Sequence, residues 1–101
     1  MAVNQADEDG ATPLLVACQN GHVECVRLLL EANAAVGQAT PRCATPLFMA
    51  CVRGHVDIVR LLLEADAAIN QASARGATPL YIACQEGHLE VARLLLSLIH
   101  I

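Results

Sequence analysis

"GATPLLVACQNGHVECVRLLL" runs from Gly10 to Leu30, and the chain writes it twice more. The second copy is "CATPLFMACVRGHVDIVRLLL" from Cys43 to Leu63, and the third is "GATPLYIACQEGHLEVARLLL" from Gly76 to Leu96. Thr-Pro falls at 12–13, 45–46 and 78–79, and Gly-His at 21–22, 54–55 and 87–88. Cys18, Cys51 and Cys84 keep the same spacing of 33, as do Arg27, Arg60 and Arg93. A fixed period of this length, held by so many positions, is the mark of a stacked repeat array.

Each unit reads as two short helices. Thr12 can cap the first, its hydroxyl accepting from a free N–H of the first turn. Pro13 then takes the first helical position, where a missing N–H costs nothing. Leu14, Ala17 and Cys18 fall at i, i+3 and i+4, one apolar face. Gly21 ends the helix, because glycine enters the left-handed region without strain. The second helix begins near His22 or Val23, with Val23, Val26, Leu29 and Leu30 as its face and Cys25 and Leu28 widening it. Asn33 and Asp66 stand where a left-handed residue would end the second helix. The connectors "AAVGQATPRC" and "AAINQASARG" carry lone apolar residues, Val36 and Ile69, and predict a projecting turn or hairpin. Val3 matches them, so the chain starts in mid-repeat. Helices this short are marginal alone. Each copy is therefore the wall on which the next one leans.

Composition agrees with that picture. The chain has 101 residues, enough for one small domain, and 55% of them are apolar but only 2% aromatic. The core must then be built from Leu, Val, Ile, Ala and Cys. The net charge of −4 argues against a nucleic-acid surface, which needs a basic patch. No apolar run approaches the ~18–20 residues of a membrane span, so membrane insertion is not expected. "MAVNQADEDG" has neither a basic nor an apolar leader region. Five cysteines without a CxxC pair point to a reducing compartment, cytoplasmic or nuclear.

At this point "DEDGATPLLVACQNGHVECVRLLLEANAAV" resembles an ankyrin repeat, and the likeness extends over residues 3–96. The resemblance implies an all-α ankyrin-repeat solenoid of stacked helix–turn–helix units with connecting β-turn or hairpin loops. Repeats are expected at about 7–39, 40–72 and 73–101, in one domain spanning 1–101, with a partial connector at 1–6 and a divergent tail at 97–101. It also implies a protein-binding role without catalysis, either as a free-standing interaction module or as a regulatory or targeting segment of a larger enzyme, channel or signalling protein.

The copies depart from the family pattern in places. Thr-Pro-Leu is usually followed by His, but here Leu15, Phe48 and Tyr81 follow it. Cys43 stands where Gly10 and Gly76 stand, and would carry strain of ~1 kcal/mol if that turn needs a positive φ. Gly37 replaces the Asn seen at Asn4 and Asn70. By resemblance, Asn70 and to a lesser degree Asn4 occupy a hairpin position that can be hydroxylated. Ala68 stands where that motif prefers an acid, which favours a turn-forming role. At 97–101 the chain reads "SLIHI" where "EA[N/D]" is expected at 97–99. The tail is either a foreign end to a longer array or a native terminus whose Leu98 and Ile99 patch the end of the core.

Five Cys and four His invite a metal reading, but their spacing argues against it. Stacked helices lie ~8–10 Å apart, whereas a disulfide needs Cα atoms within ~7 Å. Cys18, Cys51 and Cys84 are therefore expected as small buried residues, and Cys25, in the slot of Ile58 and Val91, as another. Cys43, in a turn, is the best candidate for a reactive thiol, although an inert one is favoured. His22, His55 and His88 recur with their surroundings and read as structural imidazoles bonding loop backbone between units. No nucleophile stands apart from the repeat and no glycine-rich phosphate loop is present. No catalytic residue, metal ligand, cofactor or small-molecule substrate is expected.

Function is expected where the copies differ. The turn tips read "DED" at 7–9, "TPR" at 40–42 and "SAR" at 73–75. By resemblance, partners bind these tips and the concave face of the first helices. The candidate contact set is Glu8, Asp9, Leu15, Gln19, Asn20, Arg42, Phe48, Val52, Arg53, Arg75, Tyr81, Gln85 and Glu86. Phe48, Arg53 and Tyr81 are expected at its centre, since tyrosine and arginine are favoured interface anchors. Phe48 and Tyr81 equally suit a role in filling grooves between helices.

Overall fold

The computed structural model describes residues 3–40, 44–65, 67 and 76–98. These form six helices in three pairs: α1 (Pro13–Asn20) with α2 (Val23–Glu31), α3 (Pro46–Arg53) with α4 (Val56–Glu64), and α5 (Pro79–Gln85) with α6 (Leu89–Leu98). No strand occurs among the described residues. The connector after α2 makes a turn at Val36–Gly37 instead.

The helix starts follow the sequence signal in all three copies. Thr12, Thr45 and Thr78 have extended backbone and accept from the amides of Leu15, Phe48 and Tyr81 at 3.2, 3.1 and 3.2 Å. Each is followed by proline at the first helical position. Gly21 and Gly54 close α1 and α3 with φ of 77° and 75°. The next amide, of His22 or His55, then returns to Ala17 or Ala50 at 3.0 Å. In the third copy Glu86 caps α5 and the left-handed residue is Gly87, φ 74°. Asn33 ends the α2 segment in the left-handed region, φ 62°, as expected of a small polar side chain. Asp66 and Cys43 lie outside the described residues.

The pairs stack in register. One core runs through all three, from Leu14, Cys18 and Val26 through Leu47, Cys51, Ile58, Val59 and Leu62 to Ala83, Val91 and Leu95. Full burial of one Leu, Ile or Val contributes ~1.5–3 kcal/mol, so this shared core is a main source of the array's stability. The first helices pack more closely on one another than the second helices do. The array therefore tightens on the side of α1, α3 and α5.

The ends differ from the middle. Cys25 is exposed, not buried, although Ile58 and Val91 in the same slot are fully covered. That slot faces the preceding pair, and α2 has none among the described residues. Leu28 is 65% exposed for the same reason. Cys84 is also exposed, where Cys18 and Cys51 are buried, because its slot faces the following pair. The divergent tail begins inside α6: Ser97 donates its hydroxyl to the Leu94 carbonyl at 2.7 Å, and Leu98 is 46% exposed. Ile99 lies outside the described residues.

Candidate functional site

The first turn tip is built by Asp7. Its amide donates to the Ala11 carbonyl at 2.9 Å, and its carboxylate accepts from the amides of Asp9 and Ala11, each at 2.9 Å. Thr40 repeats the arrangement one copy later, with Ala44 returning to its hydroxyl at 3.2 Å. Asp7 therefore spends its charge on holding the turn. Glu8 and Asp9 beside it are exposed. Connectors are tied to each other as well. The Asn4 side-chain carbonyl accepts from the Ala35 amide at 2.7 Å, and the Gln38 side-chain amide donates to the Asn4 backbone carbonyl at 3.3 Å. An Asn in this slot thus works as a turn clip. Asn70, Arg42 and Arg75 lie outside the described residues.

Along the first helices, two slots at the C-terminal ends keep some surface. Asn20, Arg53 and Glu86 are exposed at successive C-terminal ends. Gln19 and Val52 are half-buried beside them, and Gln85 is exposed. The array thus brings one polar neutral, one cationic and one anionic side chain into a row, with neighbours of mixed polarity.

The slot after Thr-Pro-Leu behaves differently. Leu15 is only 4% exposed, Phe48 is half-buried and Tyr81 is 57% exposed. Leu15 is therefore removed from the contact set: its side chain is covered and has no surface to offer. The gradient says that the slot leans toward the following pair. Phe48 serves packing and surface at once, and Tyr81 is open because no described helix pair follows it.

His55 and His88 join the copies, whereas His22 is exposed. The His55 ring covers Gly21 so closely that a Cβ there would lie 2.9 Å from Cε1. The His88 ring covers Gly54 in the same way, at 2.5 Å from Nδ1, and its Nε2 sits 2.9 Å from the Val52 carbonyl oxygen, where an Nε2–H donates to it. The backbone bond between units expected of His22, His55 and His88 is seen, among the described residues, at His88; the glycine's second role was not expected. Beyond ending its helix, it makes room for the next histidine.

Burial pushes the thiols of Cys18 and Cys51 up to about 12, since a thiolate would lose its hydration there. Both are inert packing groups near neutral pH. Among the described residues, no three His, Cys, Asp or Glu side chains come together as a metal site would require. No helix among them is long and apolar enough to cross a membrane.

Also missed from sequence were the open apolar residues of the first pair, Val16 and Leu28. The signal was available: a slot that faces backward in copies two and three has no cover in copy one.

A family model described as ankyrin repeats, in three copies, matches residues 1–71 and 34–101. A stretch of 34 residues is 59% identical to cortactin-binding protein 2 of Ornithorhynchus anatinus, covering 34% of this chain and 2% of that protein. A stretch of the same length is 59% identical to the probable E3 ubiquitin-protein ligase XBOS32 of Oryza sativa subsp. japonica, covering 34% of this chain and 7% of that protein. The chain thus spans a small fraction of the length of these curated relatives. Each likeness is about one repeat long.

Proposed function

The chain belongs to the ankyrin-repeat family, a generic protein-interaction fold, and on that premise we propose that it is a non-enzymatic module whose partner is another protein. One observation carries this. Three copies keep their core slots nearly constant while Asn20, Arg53 and Glu86, at one exposed slot, differ in charge. A scaffold holds the row in place and the row supplies discrimination, because unlike charges at fixed spacing reject partners of the wrong pattern.

The proposed contact surface includes Glu8 and Asp9 at the first tip, Arg42 and Arg75 at the later tips, and the row Asn20, Arg53 and Glu86. Gln19, Val52 and Gln85 flank that row, and Phe48 and Tyr81 add the aromatic contacts. We assign the module to the cytoplasm or nucleus, on its thiols. Within a longer protein it would serve as a targeting or regulatory segment. The ligase named among its relatives is consistent with that second arrangement and gives no activity to this chain.

The test is affinity capture with the chain as bait, beside the triple variant Asn20→Ala, Arg53→Ala, Glu86→Ala. A control carries Glu24→Ala and Arg27→Ala, an exposed pair on the second helix joined at 3.3 Å. Proteins kept by parent and control but lost by the triple variant support the surface. Equal retention by all three, with equal melting curves, sinks it.

A further inference from the structure

The middle pair shows what stays open when helices are packed on both sides. On α3, Phe48, Val52, Met49 and Arg53 share one arc of about 140°. Leu47, Ala50 and Cys51 take the opposite arc and are buried. Phe48, Val52 and Met49 are half-buried and Arg53 is exposed, with α1 and α5 both packed on α3. This opening belongs to the slot itself and does not come from a missing neighbour.

Arg53 is also a cation without a counter-charge. Arg27 and Arg93, on the second helices, are held by Glu24 at 3.3 Å and Glu90 at 3.9 Å. Arg60 has Asp57 and Glu64 one turn away on α4. One turn from Arg53 stand Met49 and Ala50, neither of them acidic. Among the described residues, neither Arg53 nor Glu86 makes an ion pair.

Asn20, Arg53 and Glu86 hold one slot on successive helices, and packed helices lie ~8–10 Å apart. The row is therefore a fixed ruler of neutral, cationic and anionic marks at steps of about 9 Å. A peptide crossing it must match that step. In a β-strand, side chains on one face fall ~7 or ~13 Å apart and miss it. A polyproline-II segment has three residues per turn and a rise of ~3.1 Å, so every third side chain shares a face at about 9 Å.

Resting on the assignment of the first-helix face to a partner protein, we propose that its occupant is an extended, polyproline-II-like segment of that partner. The segment sets a carboxylate over Arg53 and a cationic side chain, three residues away, over Glu86. A neutral residue three positions to the other side of the carboxylate falls over Asn20. Between the two charges an apolar residue leans toward Phe48 and Val52. The bare guanidinium gains a two-pronged partner, and a segment of the wrong charge pattern meets like charges.

The probe is a membrane array of random peptides about ten residues long, too short to hold a helix in water. It is applied to the parent, to Arg53→Glu, to Glu86→Arg and to the triple variant Asn20→Ala, Arg53→Ala, Glu86→Ala, all with matching melting curves. The parent is expected to retain peptides with an acid and a base three residues apart. Arg53→Glu should retain peptides with two bases at that spacing, and Glu86→Arg peptides with two acids. Each reversal should bind the parent's peptides about tenfold less. The reversals are independent, so one that misfolds leaves the other to decide. Parent peptides without that spacing, or the same peptides on parent and reversals, overturn the proposal. So does a parent that retains no peptide, which would point to a folded partner, such as a helix with its charges seven residues apart. The assignment beneath the proposal fails separately, when the triple variant keeps the parent's peptides, since the contact then lies elsewhere.

Discussion

The middle helix pair and the outer two are close copies in sequence and unlike in environment. α3 and α4 have a neighbour on each side, and Cys51 and Ile58 are both fully covered. The first pair covers Cys18 but exposes Cys25, and the third covers Val91 but exposes Cys84. The same residue type at the same place in the repeat is core in one copy and surface in the next. Burial in a stacked array belongs to the interface, and a single repeat supplies only half of each interface.

Substitution in one slot at two positions tests this most severely. Ile58→Ala removes covered methyl groups from between two pairs and leaves a cavity, which should cost about 3 kcal/mol. Cys25→Ala, in the same slot one copy earlier, should stay within about 0.5 kcal/mol of the parent. Urea unfolding followed by circular dichroism measures both. Similar losses at the two positions would mean that the first pair is covered in solution.

The helix-ending glycines sharpen the comparison further. Gly54 and Gly87 have nearly the same φ, 75° and 74°, so alanine strains the backbone equally at both, by about 1 kcal/mol. Only at Gly54 would the new Cβ strike a histidine ring, displacing His88 from the Val52 carbonyl. Gly54→Ala should therefore cost about 2–3 kcal/mol and Gly87→Ala about 1 kcal/mol. The difference between the two melts isolates the stacking part of the effect from the local part. Equal losses would show that the lock contributes nothing.

Most of the fold was legible because its determinants are local. A threonine accepting from the third amide, a proline at the first position and a left-handed glycine each act within a few residues, so Thr12, Pro13 and Gly21 could be placed from sequence. The period of 33 then supplied the stacking. What escaped was everything that depends on how many neighbours a copy has. Cys25 and Cys84 read as core because their equivalents are core. Leu15 read as surface because its slot varies, yet that slot leans on the next pair and Leu15 is covered. Variation between copies marks positions free of the common core, and a position can be free of it while still filling a gap between particular neighbours.

The thiols give the gentlest test, because it changes no residue to detect the contrast. Cys25 and Cys84 should react with an aromatic disulfide reagent within seconds to minutes at neutral pH, while Cys18 and Cys51 should react only as the array opens. The buried pair also predicts a pH dependence. Their folded values lie at about 12, above the ordinary 9.0. The folded state thus holds protons that the unfolded chain gives up, and unfolding is favoured as pH rises. The contribution of these thiols is intact below pH about 9 and is lost progressively as pH climbs toward about 12. Between pH 8 and 9.5 the loss should be on the order of 1 kcal/mol or less for each thiol. Cys18→Ala with Cys51→Ala would lower the starting stability but should flatten that slope. A slope that survives this double replacement would show that the two thiols are not held inside the array.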